Sequence, residues 1–330
     1  MGAILLKVKL LSAVTAALIL VSTTLSIVTK VFAADPPPAQ GIQISPVLID
    51  LNAEKSNSYN LKITVTNVTA GELVLKQNIN DFRAKDESGN PEIILDENDV
   101  DPTFSLKSWM TPAPNMTLKS KESRVVDVQV DVPADAEAGG HYGVVRFSGF
   151  APGTENDENV AIAASVGVLV LARVNGAITE SLRVKDFFVE KEGKKTGLLQ
   201  ASPLTLVQRL ENDGNVNVKP KGTITVKNMF GSTITAAEIN ETGRNILPNS
   251  TRRLAQEVNK KWMFGRYTAQ LDATYGYGNK VLTSTVSFWV IPYRLILIVL
   301  LVLIVLFFGI KKGLKRYNDK VIQQALKKQR

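Results

Sequence analysis

The side chains able to do chemistry are sparse, and the densest group is acidic. Between Asp86 and Asp101 lie Asp86, Glu87, Glu92, Asp96, Glu97, Asp99 and Asp101, with no basic residue among them. Carboxylate oxygens are what a hard cation takes, so Asp96, Asp99 and Asp101 form a candidate calcium loop. The stretch lacks the loop glycine and the closing bidentate Glu of an EF-hand. It is therefore read as a solvated surface loop with no metal, and Glu155-Asn156-Asp157-Glu158-Asn159 as a hairpin tip. His141 is the single histidine. A nucleophilic triad would need it beside a serine and a carboxylate, and no Gly-x-Ser-x-Gly elbow is present. It reads as a surface or loop-packing residue. With no cysteine in 330 residues, thiolate metal sites, Fe–S ligation and a cysteine nucleophile are excluded. Paired carboxylates for glycoside hydrolysis meet only in three dimensions, and nothing singles out a pair. No Gly-rich phosphate loop occurs. The sequence thus assigns no catalytic residue and no cofactor. Trp109 and Trp262 are the candidate ligand contacts, since sugars stack on exposed aromatic faces; core packing is the competing reading for each. Asn67, Asn115, Asn240 and Asn249 open Asn-x-Ser/Thr sequons, which by themselves assign no function.

The formal charge of +8 belongs to the ends. Residues 1–33 carry three lysines and no acid, the last 20 residues carry eight basic groups against Asp319, and residues 34–293 carry 27 basic and 30 acidic residues. A folded body that is mildly acidic has no electrostatic footprint for nucleic acid. The ends read as membrane signals instead. Lys7 and Lys9 precede an apolar stretch from Leu10 to Val28, and Val31-Phe32-Ala33 sets up cleavage between Ala33 and Ala34. Lys30, between that stretch and the cleavage site, keeps an uncleaved anchor as the rival. Near the other end, Leu295 to Ile310 contains no strongly polar side chain. With Trp289 to Tyr293 before it and the Lys311 and Lys312 stems behind it, the run reaches the ~30 Å of a bilayer core. The lysines place the C-terminus in the cytoplasm and the body outside. In the tail, Tyr317, Val321 and Ala325 share a helical face among lysines, suited to the anionic inner leaflet or to solvent.

The body has a period of two. Leu61, Ile63 and Val65 alternate with Lys62, Thr64 and Thr66, and Val126, Val128, Val130 and Val132 with Val125, Asp127, Gln129 and Asp131. Leu204, Leu206 and Leu210, then Ile224 and Val226, continue it. Short half-buried strands between Gly, Pro, Asn and Asp clusters predict an all-β chain. The length calls for two immunoglobulin-like β-sandwiches plus one C-terminal transmembrane α-helix. The halves also resemble each other. Each has a strand running into an Asn-led turn, at Asn67-Val68-Thr69-Ala70-Gly71 and Asn212-Asp213-Gly214-Asn215, and a late strand opening on Gly-x-Tyr, at Tyr142 and Tyr267. The Asn-to-Tyr spacing is 75 residues in one half and 55 in the other, which predicts an insertion of that difference at Phe82 to Pro114. The tyrosines are expected to tie a loop to the sheet edge. The expected layout is a signal peptide (1–33), a Pro-rich spacer (34–40), a first sandwich (41–175) with its acidic insertion (82–114), a second sandwich (176–290), a transmembrane helix (291–312) and a basic tail (313–330).

Gly41-Ile42-Gln43-Ile44-Ser45-Pro46-Val47, the strand and turn from Thr64 to Thr69, and Val132-Pro133-Ala134-Asp135-Ala136-Glu137-Ala138-Gly139-Gly140-His141-Tyr142 resemble the N-terminal domain of the WxL-interacting surface proteins. The likeness covers roughly residues 41–175. The signal peptide, paired immunoglobulin-like domains, single C-terminal helix and basic tail are similar in layout. The resemblance implies that the first domain binds peptidoglycan and the second contacts another surface protein. It supplies no residue-level binding motif.

Together these readings describe a non-enzymatic, membrane-anchored bacterial surface protein for binding or adhesion. Its expected partners are a cell-wall polymer or an extracellular surface protein, with membrane lipid around the helix and tail. The alternative is an accessory subunit of a membrane exporter or sensor complex. An extracytoplasmic hydrolase ranks third.

Overall fold

In the computed structural model, residues 41–96, 99, 103–154, 164–260 and 262–328 are described. The expected signal peptide with its Ala33–Ala34 junction, the spacer, the 155–159 hairpin tip and Asp101 lie outside them.

Among the described residues the first half has nine strands: β1 (Ile42–Ser45), β2 (Leu48–Ala53), β3 (Ser58–Asn67), β4 (Leu73–Ala84), β5 (Pro91–Ile93), β6 (Met116–Leu118), β7 (Ser123–Asp131), β8 (Gly139–Phe150) and β9 (Ala164–Val174). One sheet has the order β1-β3-β7, and the other β2-β9-β8-β4-β5 with β6 also on β4. The chain therefore changes sheets between β1 and β2. β1 runs antiparallel to β3, and β2 parallel to β9. Alternation drives the packing: Leu61 lies opposite Val128 and Ile63 opposite Val126, all buried, while Lys62 and Asp127 pair on the exposed face. These rows close on Leu75, Val145, Phe147 and Val170 of the second sheet. Each such fully buried side chain contributes about 1.5–3 kcal/mol relative to exposure.

The second half repeats the plan with β10 (Leu182–Lys191), β11 (Lys194–Lys195), β12 (Leu198–Leu199), β13 (Leu204–Asn212), β14 (Lys221–Asn228), β15 (Thr233–Ile239), β16 (Ser250–Val258), β17 (Gly265–Tyr275) and β18 (Lys280–Val290). The sheets are β11-β10-β13-β16 and β12-β18-β17-β14-β15. Between them lie Leu204, Leu206, Leu210, Ile224, Val226, Leu271 and Phe288. Two antiparallel-dominated sheets face to face, built twice, are two immunoglobulin-like sandwiches. Two residues after β18 the chain enters α1 (Tyr293–Lys328), whose segment Tyr293–Lys315 is long and apolar enough to cross a membrane and has its apolar window unburied among the described residues.

Gln208 interrupts the second core. It shares the inward row of β13 with Leu206 and Leu210, is fully buried, and finds no hydrogen-bond partner among the described residues for either amide atom. An unpaired buried amide costs about 1–3 kcal/mol. Gln208→Met, similar in volume and free of polar hydrogen-bond demand, is expected to raise unfolding stability by about 1 kcal/mol. A denaturant midpoint unchanged or lowered would contradict that.

Candidate functional site

The acidic insertion is a brace between the sandwiches. β4 and β5 pair as a hairpin, Arg83 opposite Glu92, and its tip at residues 86–89 reaches the exposed face of β13 and β16. There the Glu87 carboxylate accepts two hydrogen bonds from the Arg209 guanidinium, one from Nε at 2.8 Å. The Glu87 carbonyl accepts the Arg253 N–H at 2.7 Å, and the Ser88 carbonyl accepts Nη2 of Arg252 at 3.1 Å. The Arg209 hydrogen bonds hold Glu87 below the usual carboxylate range, outweighing its desolvation. Asp86 is also lowered, by the hydroxyl and N–H of Ser88. Of the candidate calcium residues, Asp99 pairs with Arg83 at 3.1 Å, and the Asp96 carbonyl accepts the Asp99 N–H at 3.3 Å. Among the described residues, no three acidic or histidine side chains converge as a cation cage.

Further contacts join the halves on the other side. Lys219 Nζ meets Asp50 at 2.6 Å. The Gly140 N–H donates to the Asn215 carbonyl at 2.7 Å, and Asn215 Nδ2 donates to that of Ala138 at 3.1 Å. The tyrosine expectation divides here. Tyr267 ties the preceding loop as expected, its hydroxyl accepting the Phe264 N–H at 2.9 Å. The Tyr142 hydroxyl instead leaves its own sandwich for Asn217 Oδ1, at 3.4 Å. Burial pushes its pKa up. Gly140 lacks the side chain that would collide with that ring.

His141 is a packing residue inside the first sandwich, 1% exposed. Its Nδ1 faces the Ser105 carbonyl and its Nε2 the Glu137 carbonyl, each at 3.0 Å. With both nitrogens facing carbonyl oxygens, neither is turned toward a hydroxyl nucleophile, as a catalytic base would be. Trp109 packs on the imidazole, ring centres 4.1 Å apart and planes tilted by 42°, and is half-buried against the core. The Asp81 carboxylate holds the short 3₁₀ turn Lys107–Trp109, accepting the N–H groups of Leu106 at 2.9 Å and Lys107 at 2.8 Å. Trp109 therefore offers no free ring face on the His141 side. Trp262 is the opposite case, 81% exposed ahead of β17, at the end of the second sandwich from which α1 leaves. Leu295 and Ile310 bound an exposed apolar surface on α1, and Lys311 and Lys312 follow it. Two sequon asparagines, Asn67 and Asn240, bury their amides as donors to backbone carbonyls.

Two features remain that could hold a ligand. The first is a cavity of about 440 Å³ between the sandwiches. Leu48, Phe82, Leu169 and Leu171 line one side, Leu247 and Arg252 the other. Burial and the neighbouring Arg244 lower the Arg252 pKa. The second is the edge of β9 ahead of Leu169, beside which β1 packs, the preceding Gly41 against Ala164, without pairing to it. β2 covers β9 only from Leu169 to Val174, and Leu169 gives its N–H to Val47 at 3.0 Å on that side. Strand alternation turns the N–H and C=O of Ser165 and Gly167 the same way. No described strand pairs with them there, while β8 pairs with the other edge throughout. Sequence reasoning missed both features. The period-two pattern marks β9 as a strand but cannot say where its neighbour begins.

No known protein family matches the chain, and no curated protein does. Among solved structures it is similar to the class 5 fimbriae chaperone CfaA, at 13% identity and TM-score 0.37, covering 76% of this chain and 100% of that one. It is also similar to the E. coli chaperone DraB, at 12% identity and TM-score 0.34, covering 76% and 97%. A protein of unknown function from Porphyromonas gingivalis W83 aligns at 13% identity and TM-score 0.29, over 74% and 99%.

Proposed function

We propose that this chain is a non-enzymatic, membrane-anchored bacterial surface protein that holds an extracellular polypeptide by strand addition along β9. The observation that carries this reading is the half-covered edge at Ser165 and Gly167. A row of unpaired N–H and C=O groups is a template for another chain, with main-chain bonds supplying affinity and alternate side chains specificity. The brace supports it by fixing the sandwich that carries the edge against the one that leads to the helix. The apolar helix supports anchorage. The resemblance to WxL-interacting proteins makes peptidoglycan the competing ligand, a reading the packed Trp109 weakens by removing one stacking platform.

The test uses the full-length chain in its native membrane, with a photo-crosslinking residue at Ser165 and, as control, at Val125 on the outer face of β7. The expected result is one discrete protein adduct at Ser165 and none at Val125. A Cβ at position 167 presses on Val144 of β8, so Gly167→Ala, which makes that contact and keeps the N–H, is the control. Gly167→Pro deletes the outward N–H of the edge strand as well. It is expected to reduce the adduct about tenfold, as loss of roughly 1.4 kcal/mol would. Retention of the chain on isolated sacculi with no adduct at Ser165 would overturn the strand-addition reading in favour of the wall polymer.

A further inference from the structure

The exposed aromatic residues of the second sandwich gather at one end. The registers fix which: Gly265 lies opposite Val290, Tyr267 opposite Asn228, and Lys227 opposite Thr233. The β14–β15 turn, the segment before β17 and the end of β18 therefore share the end from which α1 departs. Phe230 stands on the turn at 84% exposure, with Trp262 and Phe264 beside the start of β17 and Trp289 on β18, all exposed. Met229 fills the space above Gly265, so the turn and the 262–264 segment run together. Only one other aromatic of the described sandwiches, Tyr277, is comparably exposed, and it lies at the opposite end against the first sandwich.

This end cannot swing away from the helix. β12 runs beside the last residues of β18, with the Trp289 N–H on the Gly197 carbonyl and the Ile291 N–H on the Leu199 carbonyl, both at 2.7 Å. Gln200 Nε2 donates to the Tyr293 hydroxyl at 2.5 Å. The first turn of α1 is thus tied to the sandwich from both sides of the two-residue link. Phe230 and Trp262 thus lie at the end of the sandwich that faces whatever surface the helix enters. The loop set also carries exposed Lys194, Lys227, Lys260 and Arg266 against Glu192 and Glu257.

From this we infer that the α1-proximal end of the second sandwich docks on the lipid interface of the bilayer that α1 crosses, with Phe230, Trp262 and Phe264 seated at headgroup level. Aromatic rings with an apolar body favour that depth, and neighbouring cations complement lipid phosphates. The ectodomain is then held upright by two contacts, helix and loops. This inference rests on the membrane-anchor reading above.

The absence of cysteine makes the test clean. Single variants Phe230→Cys, Trp262→Cys, Val125→Cys and Leu303→Cys of the full chain are labelled with an environment-sensitive dye and reconstituted in phosphatidylethanolamine/phosphatidylglycerol vesicles. Nitroxide lipids then quench at headgroup or mid-chain depth. The expected result is loss of emission at 230 and 262 with headgroup nitroxide, loss at 303 with mid-chain nitroxide, and none at 125. Quenching at 303 without quenching at 230 and 262 overturns the docking and leaves the anchor standing. No quenching at 303 overturns the anchor, and the docking falls with it.

Discussion

Asn67→Ala is expected to lower unfolding stability by about 3 kcal/mol, read as a melting temperature roughly 6–12 °C lower. Asn67 is the last residue of β3 and has no exposed surface. Its Nδ2 donates to the carbonyls of Gly71 at 2.8 Å and Leu118 at 3.0 Å, and its Oδ1 accepts the Thr69 N–H at 2.9 Å. One amide thus closes its own turn and pins the end of β6. Truncation removes these partners together and takes this donor from the buried Leu118 carbonyl. Asn212, last residue of β13, repeats the device with Val216 and Ile246 as acceptors at 2.8 Å each and the Gly214 N–H as donor at 2.9 Å. Asn212→Ala is therefore expected to cost a similar amount. The aspartate variants separate hydrogen bonding from volume. Asn67→Asp keeps the shape and the acceptor but aims a carboxylate oxygen at carbonyls, and should be at least as damaging as alanine. A loss below about 1 kcal/mol for both alanine variants, the ordinary worth of one hydrogen bond, would show that the amides are ornamental.

Those asparagines also mark what the sequence could reveal. Their turns, the alternating valines of β7 and the leucines of β13 are local signals, because strand periodicity and turn chemistry act over a few residues. Two all-β halves and a terminal apolar helix follow from them. The brace is not local: Glu87 and Arg209 are separated by 122 positions, and the acidic run around Glu87 has the composition of a solvated loop. Its complement, Arg209, lies on a strand whose inward residues are the only ones the pattern reads. The tryptophans make the same point. Trp109 and Trp262 are each followed by methionine and look equivalent as a string, yet one packs on His141 and the other is 81% exposed. The two Gly-x-Tyr strands divide likewise, because the Tyr142 partner, Asn217, belongs to the other sandwich. The edge of β9 escaped for a different reason: it depends on where β2 begins.

Charge reversal at the brace, Arg209→Glu, is expected to uncouple the sandwiches by about 2 kcal/mol. Two charges a few ångströms apart near a protein surface interact by a few kcal/mol, and partial exposure of both side chains, 29% and 37%, screens much of it. The sign with pH follows from Glu87. Its folded-state pKa is depressed, by Arg209 first, so its stabilising contribution is fully present above the unfolded value near ~4.3. It is lost as pH falls through the lower folded value. Arg209 stays charged across that range and adds no opposing transition. Acidification through that lower folded-state value should therefore reproduce in the wild-type chain what Glu87→Gln does at neutral pH. Spin labels on Val125→Cys and Val281→Cys, one in each sandwich, report it as a broadened distance distribution. Arg209→Lys keeps the charge but not the two-pronged geometry, and should lie between wild type and Glu87→Gln. The exchange Glu87→Arg with Arg209→Glu should recover part of the coupling, because the pair and not either residue carries it. A distribution as narrow in Arg209→Glu as in wild type would mean that Lys219–Asp50 and the Asn215 contacts hold the sandwiches without the hairpin.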